Sequence, residues 1–285
     1  MAQTLSKPGG SQRPDPIRKR PKALPFPLSL GQTAIGKKWL MALTGVGLLG
    51  FVFAHMVGNL HVYEGPARVA EYAETLRTLG GGLAPRGFVL WIMRLGLIAM
   101  FGVHIWAAYT LKEMSRKSST KANWMDGSKT YPGGRDYIAA NFASRTMRWT
   151  GPIIMLYVLF HLADLTWGRT LGDNFVHGDP YHNLDASFNR IPVLIIYIVA
   201  NIALAIHIFH GAWSMFQSLG INNPKYNAAR RAFAVGFAGL ILVGNLSFPI
   251  LNAAGLTDED ERQCDPKDEN VLECLELQLV KEGHG

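Results

Sequence analysis

Nine histidines occur in the chain, and five of them, His55, His104, His161, His207 and His210, fall inside long apolar stretches. His207 and His210 lie deep in IPVLIIYIVANIALAIHIFHGAWSMFQSLG, three residues apart and so near one helix face. A span needs about 20 apolar residues, and an ionisable side chain within one is costly enough to mark a functional site. Imidazoles in such a setting can ligate a metal, relay protons or satisfy a buried polar group. Which of these applies depends on how the helices bring them together.

Five blocks are long enough to span: about 39–60, 88–111, 149–167, 191–216 and 232–256. Lysine and arginine set their orientation. The N-terminal arm to Lys38 and the loops 112–148 and 217–231 carry 19 of them, whereas 61–87, 168–190 and the tail from Thr257 carry eight, with Arg94 inside the second block. The expected architecture is therefore all-α, a polytopic bundle of five transmembrane helices with a cytoplasmic N-terminus and the C-terminus outside. It divides into a basic cytoplasmic arm (1–36), a membrane domain (37–256) and an acidic outer tail (257–285). The arm is rich in proline and reads as loosely packed. Its Arg18-Lys19-Arg20 cluster reads as a positive-inside signal or a contact for anionic lipid. The net charge of +7 is this asymmetry and points to no nucleic acid partner. Between the first two spans, RVAEYAETLR predicts a short amphipathic helix at the outer interface.

Depth then sorts the histidines. His55 and His161 lie 16 and 12 residues from the inner starts of their spans, about 24 and 18 Å up at 1.5 Å per residue. His104 and His207 each lie 16 residues from an outer start, so they fall in the inner half. The result is an outer pair and an inner pair, each drawn from two different helices. Two imidazoles facing across a bundle suit one iron porphyrin held on both axial sides, and two such haems would form an electron path across the bilayer. Zinc would want further ligands at the same level. A proton relay usually includes internal carboxylates, and only Asp164 lies inside a span. Asp164 shares the His161 face and could handle protons or pair with Arg94. His210 is the extra imidazole, expected to bond within the bundle or to line a site near the inner face.

These blocks resemble the five-helix cytochrome b membrane anchor of succinate dehydrogenase and fumarate reductase, single-anchor type. The resemblance covers about 35–255 and rests on GKKWLMALTGVGLLGFVFAHMVGNLHVY, EYAETLR, WIMRLGLIAMFGVHIWAAYTL, SRTMRWTGPIIMLYVLFHL and HIFHGAWSMFQSLG together. It implies one haem b ligand on each of the first four spans, at His55, His104, His161 and His207, with first paired to third and second to fourth. It also implies a flavoprotein and an iron–sulfur subunit docked on the cytoplasmic face of the cell inner membrane. Electrons from succinate would pass through them to a quinone in this subunit of respiratory complex II, and the chain itself would hold no succinate site. Arg94 and Arg148 are the candidate partners for haem propionates.

Two features leave alternatives open. Cys264 and Cys274, the only cysteines, lie in the outer tail. They could form a disulfide, or with an outer histidine pair complete the His₂Cys₂ set of a Rieske-type iron–sulfur cluster in place of the outer haem. The quinone could sit at the inner face near Trp213, Ser214 and Gln217, or at the outer face with Glu71, Glu74 or Asp164 handling protons. Two other functions stay open: a cytochrome b subunit of another membrane dehydrogenase, or a histidine-lined transporter or proton relay, which broken helices and inverted repeats would support.

Overall fold

A computed structural model describes residues 24–118 and 138–255. Every regular element among them is helical. Helix α1 (Ala34–Asn59) starts at Thr33, whose hydroxyl accepts the Gly36 N–H at 2.9 Å and so satisfies one orphan donor of the first turn. Its run extends through a 3₁₀ turn to Glu64. Helix α2 (Pro66–Arg77) opens with proline at its first position, where no N–H is needed. Its charged face and short length fit the amphipathic segment expected from the sequence. Gly80, at φ +99°, then turns the chain in a conformation that a side chain rarely adopts.

The remaining long helices are α3 (Phe88–Ser118), α4 (Ile138–His161), α6 (Ile191–Ser218) and α7 (Asn227–Ala253). With α1 they make five helices long and apolar enough to cross a membrane, the architecture of a multi-pass membrane protein. The third is the shortest, as its sequence implied: α4 ends at His161 and passes into a π-helical turn, Leu162–Thr166. Between α4 and α6 lies a helix with no sequence expectation, α5 (Pro180–Phe188), capped by Asp179, whose carboxylate accepts the His182 N–H at 3.0 Å.

The arm differs from its loose reading where it is described. Residues Leu28–Gln32 form a 3₁₀ turn against the first helix, and Gly31 approaches the Trp106 ring of α3. Leu30 is half-buried in this turn while Leu28 stays exposed, and the contact with Trp106 is one that the proline count alone did not reveal. Cys264, Cys274 and the acidic tail lie outside the described residues, as does the Arg18-Lys19-Arg20 cluster.

The bundle is built from paired helices. Helix α1 packs along α3, α4 along α6, and α7 along α6, while α1 and α6 touch more sparingly. Lipid removes the hydrophobic drive between helices, so close packing falls to small residues. Gly47 of α1 leaves no room for a Cβ beside Met100 of α3, and Gly244 of α7 leaves none beside Met56 of α1. The core joins α1, α5, α6 and α7 through Met56, Phe188, Tyr197, Ile208, Ile241 and Phe248. Helix α3 is the outlier: of its described side chains only Ala107 is buried. Its large apolar residues, such as Trp91, Leu95 and Ile98, face outward and suit a hydrocarbon solvent.

Candidate functional site: two histidine pairs

Each long helix rises about 1.5 Å per residue, so positions eleven apart lie on one face about 16 Å from each other. On α1 that interval separates Thr44 from His55, and on α4 it separates Thr150 from His161. Both helices thus present a hydroxyl at one level and an imidazole at another. Helix α3 contributes His104, and α6 contributes Tyr197 and His207.

The imidazoles meet in two pairs across the helix pairs. The ring centres of His55 and His161 are 5.9 Å apart with planes at 80°. Those of His104 and His207 are 6.4 Å apart with planes at 63°. Depth along the spans had assigned these same two pairs. Across a shared metal, two bonds of about 2.0 Å, plus about 1 Å from each nitrogen to its ring centre, separate the centroids by about 6 Å.

Hydrogen bonds decide which ring nitrogen is basic. The Nδ1 of His104 lies 3.1 Å from the Met41 carbonyl, which can only accept, so Nδ1 carries the proton. Its second contact, Thr44 Oγ1 at 3.2 Å, already donates its own proton to the Leu40 carbonyl at 2.6 Å. Thr150 acts alike on His207: its hydroxyl donates to the Thr146 carbonyl at 3.0 Å and accepts from Nδ1 at 3.3 Å. Tyr197 does so for His161, donating to Asp164 Oδ2 at 3.0 Å and accepting from Nδ1 at 3.3 Å. Three of the four imidazoles are therefore held as Nδ1–H tautomers with Nε2 bare. His104 and His207, both proton-free at Nε2, each keep a lone pair there. Holding Nδ1–H this way is also how proteins orient metal-bound histidine. His55 instead stacks on Phe51, centroids 5.4 Å apart and planes 10° apart.

The donor set fits an axially held macrocycle better than a lone ion. Among the described residues no three His, Cys, Asp or Glu side chains converge on one point, so a bare metal would lack a full protein shell. A porphyrin supplies four equatorial nitrogens and needs only the two imidazoles.

Beside the His55–His161 pair, Asp164 lies fully buried in the π-turn. The pairing with Arg94, one of the two roles open to Asp164 from the sequence, is not formed. Arg190 takes that place, donating from Nη2 to Asp164 Oδ1 at 2.6 Å, and Thr170 donates to the same oxygen. Arg94 is exposed, its guanidinium 5.1 Å from the Trp91 ring centre. The reason lies in the chain path: the turn before α6 sets Arg190 against the π-turn, where its Nη1 also reaches the Thr170 carbonyl at 2.7 Å. Arg148 is half-buried on α4, two residues before Thr150.

The other sequence candidates separate. Glu71 and Glu74 lie on α2 in surface ion pairs, with Arg68 at 2.7 Å and Arg86 at 2.5 Å. Trp213 is half-buried under the Arg230 guanidinium, 5.8 Å from the ring centre. Ser214 donates to the Gly211 carbonyl at 3.1 Å, so its proton is held within α6, while Gln217 is exposed. His210 is half-buried on α6. Sequence reasoning missed Tyr197, Arg190, Thr170, Thr44 and Thr150.

Comparison with protein-family models, curated proteins and solved structures finds no match.

Proposed function

We propose that this chain is the membrane anchor and quinone-reacting subunit of a succinate dehydrogenase or fumarate reductase, the family its sequence blocks resemble. The observation that carries the reading is the pair of histidine pairs. Each is drawn from two helices, at metal-bridging separation, with the proton assigned away from the bare nitrogen in three of the four rings. His55 with His161, and His104 with His207, are the residues that would hold two b-type haems. Bound there, each iron would supply one-electron transfer without an open coordination position for substrate.

The chain's own groups do the rest. Thr44, Thr150, Tyr197 and the Met41 carbonyl fix ring orientation and keep Nε2 basic. His161, His104 and His207 are half-buried between helices, and His55 lies on the exposed face of α1, where lipid rather than protein would cover it. Arg94 and Arg148 remain the cations available to carboxylates at the two ends of the bundle. The excess of lysine and arginine supports a cytoplasmic N-terminus with the His104–His207 pair toward that side, and the resemblance supports the cell inner membrane as the setting. A flavoprotein and an iron–sulfur subunit dock there and deliver electrons. The quinone binds at one of two membrane faces. One lies near Trp213 and Gln217. The other lies by Asp164, beside a cleft of about 690 Å³ lined by Trp167, Gly168, Arg169, Gly172 and Phe175.

Purification of the full chain from its membrane tests this. A copurifying flavoprotein with succinate-dependent quinone reduction supports it. A homogeneous chain that carries haem but associates with another dehydrogenase contradicts it.

A further inference from the structure

The two histidine pairs differ in what stands behind them. Among the described residues, the hydrogen-bond partners behind His104 and His207 are neutral: the Met41 carbonyl and the Thr44 and Thr150 hydroxyls, whose protons go to helix carbonyls. Behind His161 is a chain that ends in charge. Nδ1–H donates to Tyr197 at 3.3 Å, Tyr197 donates to Asp164 at 3.0 Å, and Asp164 is paired with Arg190 at 2.6 Å. Asp164 and Tyr197 are buried, and Tyr197 is held edge-on by Phe188 at 5.0 Å and by Tyr157 at 5.3 Å. Its rotamer is thus set by packing before any ligand is considered.

We propose that Tyr197, fixed by Asp164, is a positioning residue that makes His161 the more electron-donating imidazole and lowers the potential of the His55–His161 centre relative to the other. The inference rests on reading the two pairs as axial ligand pairs. A phenol whose proton is drawn toward a carboxylate accepts more strongly than a threonine hydroxyl, because successive hydrogen bonds in a low dielectric polarise one another. A stronger acceptor at Nδ1–H raises the basicity of the ligating nitrogen. A more basic ligand favours the more highly charged, oxidised metal. Arg190 and Thr170 work against this by neutralising part of the carboxylate. Among the described residues His55 has ring contacts with Phe51 and His161 and no hydrogen-bonded chain behind it comparable to that of His161.

The test is a potentiometric titration of the purified full chain, following the spectral component that His161→Ala removes. Tyr197→Phe should raise that midpoint by about 59 mV, a tenfold change in a one-electron equilibrium, and leave the other component in place. Thr170 is exposed, so Thr170→Val should fold normally and keeps the inference testable if the tyrosine variant does not. By removing one donor from Asp164 it leaves more charge for Tyr197, and it should lower the same midpoint. A merely structural role moves neither midpoint in these opposite directions. Unchanged midpoints, or equal shifts in both components, overturn the inference while the parent reading stands. A wild-type chain with no haem component overturns both.

Discussion

Thr150→Val is the sharpest probe of the site, because it changes one hydroxyl into one methyl and leaves helix α4 intact. Thr150 is buried, and its Oγ1 is the acceptor recorded for the His207 Nδ1–H, at 3.3 Å. Removing it strands a donor away from water, which costs about 1–3 kcal/mol. At about 1.4 kcal/mol per tenfold, that is roughly 5- to 150-fold in ligand affinity, in line with the 10–100-fold typical of lost partners around a metal-bound histidine. Thr44→Val makes the same change behind His104, but there the Met41 carbonyl remains at 3.1 Å. Its cost should be at or below about 1 kcal/mol, about fivefold. The assay is haem retained by the purified protein when challenged with a haem-scavenging apoprotein. Faster loss from one spectral component in Thr150→Val, with a smaller effect in Thr44→Val, is the expected result. Equal effects, or none in Thr150→Val, refute the argument that these hydroxyls hold the ligand tautomer.

Three further outcomes follow from the same geometry. His104→Ala and His207→Ala should each abolish one shared spectral component, and His55→Ala and His161→Ala the other; four separate phenotypes would break the pairing. Asp164→Asn leaves Arg190 without its charge partner, and should cost about 3 kcal/mol, the low end for a buried pair because Arg190 is a third exposed. Thermal unfolding in detergent measures it, and an unchanged midpoint would contradict the burial argument. Gly36→Ala would drive a Cβ into the Leu30 backbone, so the 3₁₀ turn must leave α1. Accelerated proteolysis between residues 24 and 36 is expected, and wild-type resistance would contradict it.

Much of the frame was legible because it depends on composition and rise per residue. The five long apolar blocks became five long helices, and counting residues from either end sorted four histidines into the pairs that meet. The partner of Asp164 was not legible. Arg94 and Arg190 both sit toward the same end, and choosing between them requires knowing how the segment before α6 folds onto the π-turn. Helix α5 hid for a related reason: its buried face mixes Tyr181 and Phe188 with Asn183, Asp185 and Ser187, so no simple apolar stripe marks it. Asp185 there accepts from Asn252 of α7 at 2.9 Å, a contact between segments far apart in the chain. Thr44 and Thr150 carry a visible signal, the eleven-residue interval to His55 and His161. Taken alone, a threonine in an apolar helix usually bonds its own preceding turn, which both of these also do. Their second role appears only once helix rotation aims each hydroxyl at a neighbour's imidazole.

The most direct test of the central claim is a reduced-minus-oxidised visible spectrum of the purified chain, with haem extracted and quantified against protein. The expected result is b-type bands and one haem for each histidine pair, the content falling by one when either member of a pair is replaced. A chain that is folded, helical and free of haem would contradict it, as would a haem content unchanged by replacing His104 and His207 together.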